Sequence, residues 1–447
     1  MSRRVLITGL GPVSGLGLGL EPTWSALLEG RSALAPITAF DPAGFDSRIA
    51  GQVAADFKVR DYVPKTYRKA TKVMARDIEL AVAAAQLAAQ DAGLTTKATD
   101  PDAEPSHHPD RVACHIGAGL IAADVDELTA ACAQARDESG TWDIRRWGEH
   151  GMQQLTPLWL LKYLPNMLAC HVTITHDCRG PSNTITCNET SAALSVGESL
   201  RVIQRGHADA SFAGGAESKL NPMAFLRQQF TGRLNATHND TPEQAVRPMA
   251  TDAAGTVIGE GGGILILEEA QAFQKRTANS DDNFRGYCEV VGYGAGQTVH
   301  PATRNATPDP DGRGLQVAIR SALRDANLQP DDIDLVVPFA LGHADWDTPE
   351  LHALLATLGQ TKLADTPIAS LKPNLGVTGA GVGALDLALA ALCLHHQTLP
   401  PTLNRTQPLP PLKPGNPEPA DANLTHALVL STGFGGQCTA TILKRVD

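Results

Sequence analysis

Gly180-Pro181-Ser182-Asn183-Thr184-Ile185-Thr186-Cys187-Asn188-Glu189-Thr190-Ser191-Ala192-Ala193-Leu194 is the stretch that decides how this chain reads. Its first half is a short strand, Cys187–Glu189 is a sharp turn, and the run from Ser191 is a helix. A strand–turn–helix elbow of this kind sets one side chain at a helix N-terminus, where unpaired N–H groups and the helix dipole favour negative charge. Thiolate nucleophiles are activated at such places. Here a carboxylate, Glu189, stands at the elbow, so ordinary cysteine chemistry is not expected.

Further stretches accompany the elbow in a fixed order. Arg4-Val5-Leu6-Ile7-Thr8-Gly9-Leu10-Gly11 is an apolar strand ending in glycines, and Trp24-Ser25-Ala26-Leu27-Leu28-Glu29-Gly30 and Phe40-Asp41 follow it. Ala213-Gly214-Gly215-Ala216-Glu217 comes after the elbow, then Arg247-Pro248, Gly259-Glu260-Gly261-Gly262-Gly263 and Leu267-Glu268-Glu269-Ala270. Ser370-Leu371-Lys372 and Gly433-Phe434-Gly435-Gly436 complete the set. Together they resemble the β-ketoacyl-ACP synthases of the thiolase superfamily along nearly the whole chain. The resemblance implies an α/β thiolase fold: two similar halves, residues 1–270 and 271–447, in one compact unit layered αβαβα. No repeat between the halves is visible as sequence identity.

The resemblance fails at the catalytic positions. The family uses one cysteine and two histidines. Counted from Gly180-Pro181-Ser182, the cysteine position is Glu189. In Lys372-Pro373-Asn374-Leu375-Gly376-Val377 the second histidine is Val377. Anchored on Asp347 and Glu350, the first histidine is Phe339; a short shift gives Leu341, and His343 fits neither alignment. A condensing enzyme needs a thiolate that is both nucleophile and leaving group. It also needs N–H donors for the developing oxyanion, each worth roughly a hundred- to a thousand-fold in rate. Glutamate would form a labile anhydride and repel a malonyl carboxylate. Phenylalanine and valine donate no hydrogen bonds. No catalytic residue is therefore expected at these positions.

Degenerate relatives with this pattern resemble the chain-length factors, or ketosynthase beta subunits, of type II polyketide systems. The resemblance implies a noncatalytic subunit forming a heterodimer with an active ketosynthase and shaping its acyl tunnel. It departs from the usual pattern in carrying glutamate rather than glutamine at the elbow. The reading that competes with it is a stand-alone malonyl-ACP decarboxylase, using Glu189 or His343, or an atypical acyltransferase using Cys187. By the same resemblance Leu120 is a tunnel residue or an ordinary core leucine, and Phe434 is a gate residue. Lys372 and His300 are retained family residues of structural role. The implied partners are the ketosynthase and an acyl carrier protein whose phosphopantetheine bears the chain; no cofactor of the chain's own and no metal is expected.

Composition agrees with these expectations. The 447 residues are 43% hydrophobic, enough for a large core, and 48 acidic against 37 basic residues give a net charge of −11. That balance argues against nonspecific nucleic-acid binding. Lys65, Arg68 and Lys69, with Lys72, form the best basic cluster for an acidic carrier, although such runs are more often solvated helix faces. The eight cysteines have no zinc spacing and read as reduced cytoplasmic thiols. Cys187 reads as a small residue beneath the elbow. No signal peptide is read at the N-terminus, and the apolar run 376–394 reads as a buried helix rather than a membrane span.

Periodicity predicts strands at 5–9, 112–117, 182–187, 208–215, 263–268, 333–338, 427–431 and 438–443. It predicts helices at 76–93, 191–206, 312–326 and 379–395. Residues 95–109, 302–314 and 400–422 read as loops. Residues 134–156, with Trp142, Arg145, Arg146 and Trp147, read as a surface excursion or a partner-recognition segment.

Overall fold

The computed structural model describes residues 3–278, 286–299 and 307–446; His300 lies outside them. The strands that build the main sheet are β1 (Val5–Ser14), β2 (Val112–Gly117), β3 (Ser182–Ile185), β4 (Ala210–Glu217), β5 (Gly261–Glu269), β6 (Cys288–Gln297), β7 (Leu335–Val337), β8 (His426–Thr432) and β9 (Gln437–Arg445). The helices that cover it are α1 (Arg76–Asp91), α2 (Met167–His176), α3 (Ser191–Gln204), α4 (Arg313–Ala326), α5 (Ala344–Leu358) and α6 (Val382–His396).

The strands run in the order β7-β8-β9-β6-β1-β5-β4-β2-β3. Only two residue pairs, Leu6↔Glu289 and Ile7↔Cys288, join the two halves of this sheet. Helices α3 and α6 pack between the halves, against strands of both. Helices α1 and α2 cover the outer face of the first half, and α4 and α5 that of the second. The layers are therefore αβαβα, the expected thiolase arrangement. Helix α6 has almost no polar face because both sides meet sheet: Val382 to Leu394 are all buried. The apolar run is thus a core helix, with 89% of Gly379–His396 buried.

The halves repeat each other at a level that residue identity hides. Strand β1 shifts register against β5 between Ile7 and Gly9, and β6 shifts against β9 between Val290 and Gly292. The glycines after each bulge let a helix lie directly on the strand. A Cβ at Gly9 or Gly11 would meet the backbone oxygens of Ala88 and Ala84 at 2.4 and 2.0 Å. A Cβ at Gly292 or Gly294 would meet those of Ala322 and Ala318 at 2.4 and 2.1 Å.

This contact also explains the main boundary error. Gly9 reads as a strand end, yet β1 continues to Ser14 because the glycine serves a helix contact rather than a turn. Strand β3 stops at Ile185, short of Cys187, and the first turn of the 379–395 helix is a 3-10 turn. Gly93 and Gly206 do adopt positive φ just beyond their helices, as C-terminal stops. Residues 65–73 form a 3-10 rather than an α-helix.

Gly11→Ala is expected to destabilise the chain by about 1–3 kcal/mol, as overpacking does, and to lower the thermal midpoint measured by circular dichroism. An unchanged midpoint would mean that α1 can move off β1.

Candidate functional site

The elbow lies between β3 and α3. Asn188 takes a left-handed φ of 51°, so the chain turns sharply just before Glu189. Glu189 is 2% exposed. Its side chain is not held by the free amides of the α3 first turn, as the elbow reading anticipates. Arg233 Nη2 donates to Oε1 at 2.9 Å, and the Phe434 amide donates to Oε2 at 2.9 Å. Burial pushes the carboxyl pKa up, but the charges of Arg233 and Lys219 and the Phe434 N–H outweigh it and hold Glu189 below the usual carboxylate range.

Arg233 is itself 4% exposed. Its guanidinium carbon sits 4.9 Å from the Trp346 ring centre and 5.1 Å from that of Phe434, so both rings shield the ion pair. The expected gate residue Phe434 thus caps the pair with its ring and binds it with its backbone.

The two histidine positions fill with hydrocarbon. Phe339, Leu341, Val377, Trp346 and Val382 form one buried cluster, with Phe434 packed against it. Both alignments of the first histidine fall inside this plug, so its chemistry does not depend on the choice. His343 lies outside it. It stands just before α5 and its Nδ1 accepts from the Asp345 amide at 3.2 Å, a helix cap.

Beneath the plug lies a buried polar framework. Glu350 accepts from the Phe339 and Ala340 amides at 2.7 and 2.8 Å, and Asp347 accepts from the Met249 amide at 2.8 Å. Burial raises both carboxyls to about 7 against these bonds. Lys372 and Asp386 are wholly buried and paired at 2.6 Å, which fixes the loop that carries Val377.

The remaining candidates lie away from the plug. Cys187 is half-buried at the turn, where burial raises its thiol pKa, the opposite of activation. Leu120, in the loop after β2, is 69% exposed, which removes the ordinary core reading. Lys65, Arg68, Lys69 and Lys72 are exposed, and none enters an ion pair among the described residues. The described residues hold no cluster of metal-binding side chains.

Arg233 and Trp346 are missed by sequence reading. A carboxylate committed to a buried elbow implies a cation, but Gly232-Arg233-Leu234 carries no spacing that singles it out. The Lys219–Glu217 pair beside it, at 2.5 Å, is likewise unannounced.

Arg233→Met should cost about 3–5 kcal/mol, because it strands a buried charge. It should also reverse the pH dependence at this site. In the native protein Glu189 is depressed, so its contribution is present above the ordinary carboxylate pKa of about 4.3 and lost as pH falls through the lower folded value. Without Arg233 burial dominates, the folded pKa rises above 4.3, and stability falls as pH rises through it. Urea unfolding from about pH 2 to about pH 8 reads both slopes, and a variant with the native slope would deny the pair its role.

The fold agrees with known proteins. The profile described as "Beta-ketoacyl synthase, N-terminal domain" matches residues 2–272, and "Beta-ketoacyl synthase, C-terminal domain" matches residues 287–406. The 3-oxoacyl-[acyl-carrier-protein] synthase 2 of Coxiella burnetii is 30% identical, with 99% of each chain covered. Among solved structures, a chain of the ishigamide ketosynthase/chain length factor superposes with a TM-score of 0.82 at 27% identity, covering 100% of both chains. A β-ketoacyl synthase from Burkholderia phymatum gives 0.80 at 26% identity, again covering 100% of both. The chain, with its elbow glutamate and apolar plug, belongs to the β-ketoacyl synthase family.

Proposed function

We propose that this chain is a noncatalytic ketosynthase subunit of the chain-length-factor kind, which pairs with an active ketosynthase and shapes the tunnel for its growing acyl chain. The observation that carries the reading is the Glu189–Arg233 pair under the Phe339–Val377 plug. The nucleophile position is occupied by a neutralised carboxylate, and the oxyanion donors are replaced by side chains that donate nothing.

The surface near the elbow supports a partner. Strand β3 ends the sheet, and its outer edge has no neighbour among the described residues. Leu120, Ile174 and, between residues 142 and 160, Trp142, Ile144, Met152, Leu158 and Leu160 are exposed. Segment 159–163 packs on α2, and α2 packs on β2 and β3. An open edge beside exposed apolar side chains is the composition of an obligate interface. Residues 134–156 then serve partner recognition. The unpaired Lys65, Arg68 and Lys69 offer an acidic carrier protein a docking surface, and the chain itself needs no cofactor beyond the carrier's phosphopantetheine arm. The relative named as a ketosynthase/chain length factor is consistent with this assembly.

The decarboxylase and transferase alternatives lack a poised group. Glu189 is paired, His343 is a helix cap, and the Cys187 thiol is raised rather than lowered.

Purification of the tagged chain from its native host should recover a second ketosynthase-sized chain in equal amount, and the isolated chain should leave malonyl-ACP intact. A homodimer that decarboxylates malonyl-ACP would overturn the proposal. In the reconstituted pair Leu120→Phe should shorten the product; unchanged chain length by mass spectrometry would remove Leu120 from the tunnel wall.

A further inference from the structure

A second polar feature lies at the other end of the sheet, where Ile368 bridges Val336 of β7. The loop 402–416 closes on itself there: the Thr402 amide donates to the Asn416 carbonyl at 2.9 Å and the Gly415 amide to the Arg405 carbonyl at 2.9 Å. This loop wraps the Arg405 side chain, which is 6% exposed. Its Nε donates to the Lys413 carbonyl at 3.3 Å and its Nη1 to the Ile368 carbonyl at 3.2 Å. Among the described residues Nη2 has no acceptor and no carboxylate lies within ion-pair distance. Burial draws this guanidinium down to about 10 with no opposing acid, so it is still charged at neutral pH.

Arg405 lines a cavity of about 310 Å³, together with Thr366, Ile368, Leu412, Lys413 and Asn416. Asp365 stands at the same cavity, but it is exposed and already paired with Lys413 at 2.9 Å. A buried guanidinium without a counter-charge is costly, and backbone carbonyls repay only part of its lost hydration. A planar fork with a free Nη2 is suited to the paired oxygens of a carboxylate or phosphoryl group.

We propose that the Arg405 cavity is a binding site for a small oxyanion, separate from the elbow and from any acyl tunnel. The anion takes the free Nη2, with the Asn416 side-chain amide as a neutral donor in the wall. Both a phosphoryl and a carboxylate group present this chemistry.

The test uses the full chain in chloride buffer of fixed ionic strength, titrated with inorganic phosphate or with acetate. Thermal unfolding should show a saturable rise in midpoint with at least one of them. A response to phosphate alone assigns the site to phosphoryl groups, and one to acetate alone assigns it to carboxylates. The rise should vanish in Arg405→Gln and weaken in Arg405→Lys, which keeps the charge but not the fork. Because Arg405→Gln also removes loop contacts, guanidinium resonances of the 15N-arginine-labelled native chain give a second reading. An Arg405 signal that shifts saturably supports the site. No shift with either anion, or an equal midpoint rise in Arg405→Gln, overturns it.

Discussion

The burial of the Glu189 carboxylate against the Arg233 guanidinium is the constraint that the rest of this site accommodates. A carboxylate 2% exposed demands a counter-charge, and a counter-charge 4% exposed demands shielding. The shielding comes from Trp346 and Phe434. Their rings in turn pack on Phe339 and on the cluster around Val377. One substitution at the elbow is thus matched by residues from four distant parts of the chain. Together these side chains form a small core at the elbow.

Around this core buried polar groups hold the backbone. Glu350 still fixes the turn that carries Phe339, and Lys372–Asp386 fixes the loop that carries Val377. Both devices hold backbone, whatever side chain that backbone presents. With framework and chemistry separated in this way, the side chains presented can differ without moving the backbone that presents them.

The sequence made the layers legible because their causes are local. Alanine-rich stretches such as 76–91 and short, largely apolar strands such as 112–117 have one reading each. The elbow was legible as a departure, since a glutamate there cannot do the work of a thiolate. What was not legible depends on long-range proximity. Arg233 lies 44 residues from Glu189 in a segment without periodicity. Trp346 reads as one more helix residue until the fold sets it against Arg233. The two-fold repeat escaped detection because it is carried by a bulge and by glycine–alanine contacts, which many sequences satisfy. Leu120 had equal claims to tunnel and core, and only the path of the chain after β2 takes it out of the core.

Strand β3 carries a consequence for how the chain is kept in a cell. Its outer edge has no neighbouring strand among the described residues, with only the Thr184 N–H covered by the Asn183 side chain, and no lysine or proline that would discourage strand addition within Ser182–Ile185. A fully folded copy therefore presents a template on which any extended segment can seat, with exposed leucine and isoleucine nearby. Copies in excess of whatever covers that edge are prone to aggregation and to capture by quality control, even though nothing in their interior is unstable. On the proposed pairing, the soluble level of this chain follows the supply of whatever covers that edge as well as its own synthesis.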